Sequence, residues 1–187
     1  MLRSVRWSRT FALAAGLILA GCGGPGRFDG TVGGMSLAVK DSIFLATRNS
    51  GQVAMLTLLM TDQAGLCEAL KGGKVIHGGT YFVAAMGESS GSQITAPTAG
   101  EYTVTTGSSP ASRFAFGALT KTDATCQSIN SVQAAGGNVT MGGYKAEAGG
   151  TMTGKFDLTF GQAAERATGD FDADFCDVSL NGSGGCQ

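Results

Sequence analysis

Gly87-Glu88-Ser89-Ser90-Gly91 has the Gly-x-Ser-x-Gly spacing of a nucleophile elbow. In that motif a serine sits on a sharp strand-to-helix turn and gives its proton to a histidine that follows later in the chain. The chemistry would be acyl transfer with Ser89 as nucleophile. His77, the single histidine, precedes the serine, and no helical pattern follows Gly91. A Ser/Gly loop is the simpler reading, and a serine hydrolase at Ser89 is the least favoured of the functions considered. Asp170, Asp172 and Asp174 alternate along one stretch and so share one strand face, with Asp177 just beyond. Side chains two apart on a strand lie about 6.5–7 Å from one another. That is too wide for one Ca2+ held by these three alone, since its ligands sit at about 2.3–2.6 Å. Two of them with loop oxygens could bind the ion weakly. The simpler reading is a solvated face that protects a strand edge. General acid/base work by such a pair needs a cleft between them, and a flat strand offers none.

Five cysteines remain to be placed. No Cys-x-x-Cys is present, and one histidine cannot complete the usual zinc sets. Cys67, Cys126, Cys176 and Cys186 therefore read as two disulfides, for which three connectivities exist. Cys67–Cys126 and Cys176–Cys186 are favoured, because the tail Asn181 to Gly185 could fold Cys186 back on the last strand. The methionines at 35, 55, 60, 86, 141 and 152 do not cluster as copper ligands would, and read as core filler. His77, between Ile76 and Gly78, reads as a strand-end surface residue rather than a pH sensor. The pattern implies no metal and no cofactor.

These residues are carried by strands. Thr151 to Phe160 alternates, with Met152, Phe156, Leu158 and Phe160 on one face and Thr151, Thr153, Lys155, Asp157 and Thr159 on the other. Gly169 to Phe175 repeats the alternation, with Phe171, Ala173 and Phe175 inward. Period two marks half-buried antiparallel strands, and the two segments form a terminal hairpin. Further strands are predicted over 31–39, 42–47, 53–60, 79–86, 101–105 and 113–119, with a weaker one over 137–142. Residues 87–99 read as a long loop and the first place to seek a binding edge. One helix is predicted over Gln63 to Lys71, capped by Thr61 or Asp62 and stopped by Gly72-Gly73. Leu66, Cys67 and Leu70 form its apolar face. The fold class is mainly β: an antiparallel β-sandwich or flattened barrel of about eight strands with one short helix.

The N-terminus carries a different signal. Arg3, Arg6 and Arg9 precede the apolar run Phe11 to Ala20, and Leu19-Ala20-Gly21-Cys22 closes it. Basic residues, then a short apolar segment, then small residues make a secretory leader. The run is too short to span a bilayer, which takes about 20 residues. With its lipobox, the segment resembles the bacterial lipoproteins. The resemblance implies cleavage before Cys22, a diacylglyceryl thioether on its sulfur and an acyl chain on its new amino group. It implies the lipid bilayer as partner through those chains, because two or more give stable anchoring where one does not. Gly23 in place of an Asp points to the outer membrane. Gly154-x-Phe-x-Leu-x-Phe160 and Gly169-x-Phe-x-Ala-x-Phe-Cys176 are similar to the ends of small Gly/Thr-rich outer-membrane lipoproteins.

On this reading 1–21 is a signal peptide, 22–27 a lipidated cysteine with a short tether, and 28–187 a single β domain. Strand-like sequence starts near Phe28, so the tether reaches only roughly 20 Å. Losing the leader leaves ten Lys+Arg against 14 Asp+Glu, a net charge of −4. It also removes Trp7, the only tryptophan. An acidic domain without a basic patch is a poor match for nucleic acid. What remains is a membrane-anchored envelope lipoprotein acting as a non-enzymatic binding or structural module, with an envelope protein as a possible partner. The alternative is a carrier of a small apolar ligand, with Phe114, Phe116, Phe156 and Phe171 lining the interior of a small barrel.

Overall fold

A computed structural model describes residues 24–74, 77–91, 93–105 and 112–178. The leader, Cys22 and Cys186 lie outside the described residues. Ten strands and one helix make up the fold: β1 (Gly26–Gly30), β2 (Asp41–Asn49), β3 (Gln52–Thr61), α1 (Leu66–Lys71), β4 (Thr80–Ser90), β5 (Gln93–Thr95), β6 (Gly100–Val104), β7 (Arg113–Thr122), β8 (Ser128–Tyr144), β9 (Thr151–Phe160) and β10 (Glu165–Phe175). They form one hydrogen-bonded sheet that closes on itself through β10-β2-β3-β4-β7-β6-β8-β9, a flattened ring of eight strands. β1 adds to β10 and β5 to β4 outside this ring. The sheet is mixed: β10 meets β2, and β6 meets β7, in parallel.

The interior is filled by alternate residues of the ring strands. Phe44, Leu56, Leu58, Met60, Phe82, Met86, Tyr102, Leu119 and Phe160 are all fully buried. The expected terminal hairpin is present, with Met152, Phe156, Leu158, Phe160, Phe171 and Ala173 buried. Its Gly-x-Phe repeats have a mutual purpose. The register sets Gly169 opposite Phe156 and Phe171 opposite Gly154. Each ring then lies over the bare backbone of the other strand's glycine: a Cβ at Gly169 would come 2.5 Å from Phe156 Cζ. Without side chains at these glycines, two phenylalanines per hairpin fit one narrow interior.

Several expectations are corrected. The strand expected over 31–39 is displaced: β1 starts at Gly26, and Gly33-Gly34, both at positive φ, turn the chain so that Val32 pairs with Met35. The strand expected over 137–142 is the middle of the 17-residue β8, whose irregularities after Ala134 and Met141 fall at its glycines. The loop expected over 87–99 is largely strand. β4 runs on to Ser90, turns through Gly91 (φ 63°) and returns as β5. The helix begins at Leu66, not Gln63. Neither Thr61 nor Asp62 caps it, because β3 continues through Thr61 and the Asp62 carboxylate accepts from Thr80 N at 3.1 Å. Asp41 of β2 serves the helix start instead, accepting from Leu66 N at 2.8 Å.

The disulfide pairing differs too. Cys67 is bonded to Cys176, which replaces both Cys67–Cys126 and Cys176–Cys186. The cause is long-range. The end of β10 pairs with β2, so Cys176 N donates to Phe44 O and its sulfur reaches the helix lying outside β2. Cys126 is also disulfide-bonded. As expected, Leu66, Cys67 and Leu70 face the sheet, where they cover Ile43, Leu45 and Leu59 on its outer surface.

Candidate functional site

Ser89 and His77 stand towards opposite ends of β4, where the nine residue steps from Thr80 to Ser89 span roughly 30 Å. Ser89 pairs with Ile94 in the β4–β5 hairpin, and its N–H donates to Ser112 O. His77 is exposed, and its carbonyl accepts from Gln63 Nε2. The structure does not bring the two together. Asp170, Asp172 and Asp174 share the exposed face of β10 as expected, and Asp170 is engaged by Arg27 at 3.2 Å. Among the described residues no group of three or more acidic, histidine or cysteine side chains could hold a metal ion.

That charged face extends across five strands. Arg27, Asp170, Lys155, Thr140 and Glu101 lie in register from β1 to β6, beside a shallow groove of about 490 Å3. Its charges largely answer one another: Arg27 bridges Asp29 and Asp170, and Arg166 bridges Asp157. The Arg166 hydrogen bond, opposed by a smaller burial effect, holds the Asp157 carboxyl below its usual pKa.

One mouth of the ring is closed by a polar network that sequence patterning did not reveal. Arg113 donates to Glu88 and to Thr98 Oγ1, and its guanidinium lies 5.8 Å from the Tyr102 ring centre. Thr98 N and Oγ1 both donate to Glu88 Oε2 at 3.0 Å. Tyr102, fully buried, donates its hydroxyl to Thr98 O. Burial alone would raise the Glu88 pKa, but the bonds from Thr98 and Arg113 outweigh it and hold the carboxyl below its ordinary range. Burial pushes the Tyr102 hydroxyl up. The network ties Thr98, Ala99 and Tyr102 to Glu88 of β4 and Arg113 of β7.

The unusual surface is on the opposite side from β1. β3, β4 and β7 turn three cross-strand rows outward: Met55, Gly87 and Phe114; Thr57, Ala85 and Phe116; Leu59, Val83 and Ala118, of which Leu59 packs under α1 and Thr57 and Gly87 are buried. No ionisable residue stands in these nine positions. Phe116 is 48% exposed, and Ile94 on the adjoining β5 is 59% exposed. Phe114 lies across Gly87 and meets Phe116 edge-on, with ring centres 5.7 Å apart. Phe114 and Phe116 thus face outward, while Phe156 and Phe171 are in the core, so the four do not line one interior space. The reason is width. Inside β7 stand only Ala115, Gly117 and Leu119, and a Cβ on Gly117 would already meet Ala134, Leu158 and Phe82 at 3.3–3.6 Å.

No protein-family model matches this chain, and no curated protein and no solved structure matches it either.

A cleft of about 330 Å3 opens beside Phe116. It forms where β7 leaves β8. The two pair from Ala118 to Thr122, but nearer its start β7 pairs with β6. Gly117 and Ala134 line the cleft together with Phe116, Val83, Ala85 and Ala118, and Thr105 and Gln133 complete it. Monomeric soluble proteins rarely leave a contiguous apolar patch uncovered without a use for it. A cleft of this size suits one bulky apolar group.

Proposed function

We propose that this chain is a lipid-anchored envelope protein whose β domain acts as a non-enzymatic binding module. Its binding surface is the outward face of β3, β4 and β7. The observation that carries the reading is the uncharged outward face of Met55, Val83, Ala85, Phe114, Phe116 and Ala118 with its adjoining cleft, beside the α1-covered face of β2 and opposite the charged face of β1, β10 and β9. The acylated residue is Cys22, and the compartment is outside the cytoplasm, at the outer membrane. The Cys67–Cys176 disulfide favours that location, since such bonds persist in oxidising compartments. No helix among the described residues is long and apolar enough to cross a membrane.

Two experiments test the reading. Cys22→Ser should move the protein from the membrane fraction to the soluble fraction, and retention in the membrane would contradict the anchor. A photoreactive amino acid at position 116 in living cells should yield a discrete adduct, whereas one at position 172 on the charged face should not. Equal labelling from both positions would contradict the binding surface.

A further inference from the structure

We propose that the segment from Ser179 to Cys186 lies across the Val83 and Tyr81 end of the outward face, as a strap pinned at its far end by a disulfide between Cys126 and Cys186. The proposal rests on the lipid-anchored reading, which commits the Cys22 sulfur to a thioether. Cys126 is disulfide-bonded, and Cys67 and Cys176 are bonded to each other. Of the five cysteines that leaves Cys22 and Cys186. With Cys22 acylated, Cys186 is the partner. The described residues set the two ends of the strap on either side of the face. Val178 packs beside α1 in the cluster that includes Leu59 of β3. Cys126 stands in the turn between Thr122 and Ser128, which pair at the ends of β7 and β8.

The distance fits. Leu59, Val83 and Ala118 form one row, so Leu59 is two strand spacings from β7, about 10 Å, and Thr122 lies four residues further along β7, about 13 Å. The diagonal is roughly 16 Å and passes over Val83 and Tyr81 of β4 and Thr120 of β7. The eight residue steps from Val178 to Cys186 reach about 26–29 Å, enough for the diagonal and the turn beyond it. The other way round, through β2, β10 and β9 to β8, takes four spacings, about 19 Å sideways, and crosses the charged face. The chemistry fits as well. Leu180 follows Val178 by two, so an extended chain turns both to one side and carries the leucine from Leu59 towards Val83. The residues from Asn181 to Gly185 are uncharged, like the face, and their three glycines allow a close approach to the sheet. Thr120 is buried and Tyr81 half-buried although both stand on the outer side of their strands. The strap narrows the binding surface to Met55, Ala85, Phe114, Phe116 and Ala118 with the adjoining cleft.

The test uses the full acylated chain in mild detergent. Non-reducing peptide mapping should recover Cys126 linked to Cys186 of the same chain. p-Benzoylphenylalanine in place of Tyr81, a side chain of similar shape, should give on illumination an adduct within one chain that maps to residues 179–185. Position 83 serves in its place if the far-UV circular dichroism melt shows that the variant at 81 does not fold. A Cys126–Cys22 link would overturn the strap and the acyl anchor together. A Cys126 link to a second chain would overturn the strap alone. So would an adduct from a folded variant that maps to another molecule, or no adduct at all, with Cys126–Cys186 in place. The adduct expected from position 116 is unaffected by those last outcomes, so the binding-module reading would stand without the strap.

Discussion

Substituting alanine at Gly169 and at Gly87 separates two kinds of close packing in this sheet. Both glycines lie beneath a phenylalanine of the neighbouring strand, and in both a new Cβ would come 2.5 Å from the ring's Cζ. Their surroundings differ. At Gly169 the ring is that of Phe156, whose centre is 4.8 Å from that of Phe82 and 5.6 Å from that of Phe28, so it has nowhere to turn. The same Cβ would also overlap the Arg27 carbonyl oxygen, which is backbone of β1. Overpacking of a filled core costs about 1–3 kcal/mol. If β1 lifts instead, the burial of Phe28 is lost, worth about 2–3 kcal/mol. Gly169→Ala should therefore destabilise by about 2–3 kcal/mol. At about 2–4 °C per kcal/mol for a domain of this size, the midpoint should fall by roughly 4–12 °C. At Gly87 only the Phe114 ring is in the way, and that ring lies on the half-exposed outer surface where it can swing into solvent. The loss there should be under about 1 kcal/mol, partly offset by the reduced freedom of the unfolded chain. The assay is thermal unfolding of the two variants followed by far-UV circular dichroism, since the single tryptophan, Trp7, lies in the proposed leader. Equal effects at the two glycines, or a Gly169→Ala midpoint within about 3 °C of the parent, would refute this account of the hairpin core.

Three further outcomes are expected. The Cys67→Ala, Cys176→Ala double variant, which opens a link spanning 109 residues, should lose about 4–5 kcal/mol in the chain-entropy description, read as a lower urea midpoint; an unchanged midpoint would contradict a structural role for the clasp. Peptide mapping of the mature protein should recover Cys67 linked to Cys176, and, with Cys22 acylated, Cys126 linked to Cys186; a Cys22–Cys126 peptide would contradict acylation of Cys22. Glu88→Gln should lower stability at pH 7 by no more than about 1 kcal/mol. Because the Glu88 carboxyl is held below its ordinary 4.5 in the folded state, its contribution is complete above about that pH and is lost as pH falls through the lowered value. The parent and the variant should therefore converge in acid unfolding curves, and a gap that widens below pH 4.5 would contradict the network.

The parts of the fold legible in the sequence are those set by local alternation. Thr151 to Phe160 and Gly169 to Phe175 declare their buried faces residue by residue, and Gly72-Gly73 marks the helix end. What depends on register is hidden. The Gly-x-Phe repeats are visible, but that each ring covers the other strand's glycine follows only from the pairing of Gly169 with Phe156. The disulfide was hidden for the same reason, since Cys176 reaches α1 through the short parallel contact of Phe175 with Phe44. β5 and the end of β4 are built from Glu, Ser, Gln, Ile and Thr, a composition that reads as loop until backbone pairing is seen. The outward grid inverts the usual preference for large residues inside. β7 places Ala115 and Gly117 in the core, because Phe82 and Leu158 already fill that space, and leaves Phe114 and Phe116 outside. A strand that alternates aromatic with alanine or glycine carries the ambiguity in its sequence, and only the opposite wall decides it.

Native mass spectrometry of the protein purified from the envelope in mild detergent bears most directly on the central claim of an anchored binding module. The account predicts a chain that begins at Cys22, carries its acyl groups, and travels with a bound protein, lost when Ala118 is replaced by arginine. An unacylated or bare monomer that the substitution leaves unchanged would contradict it.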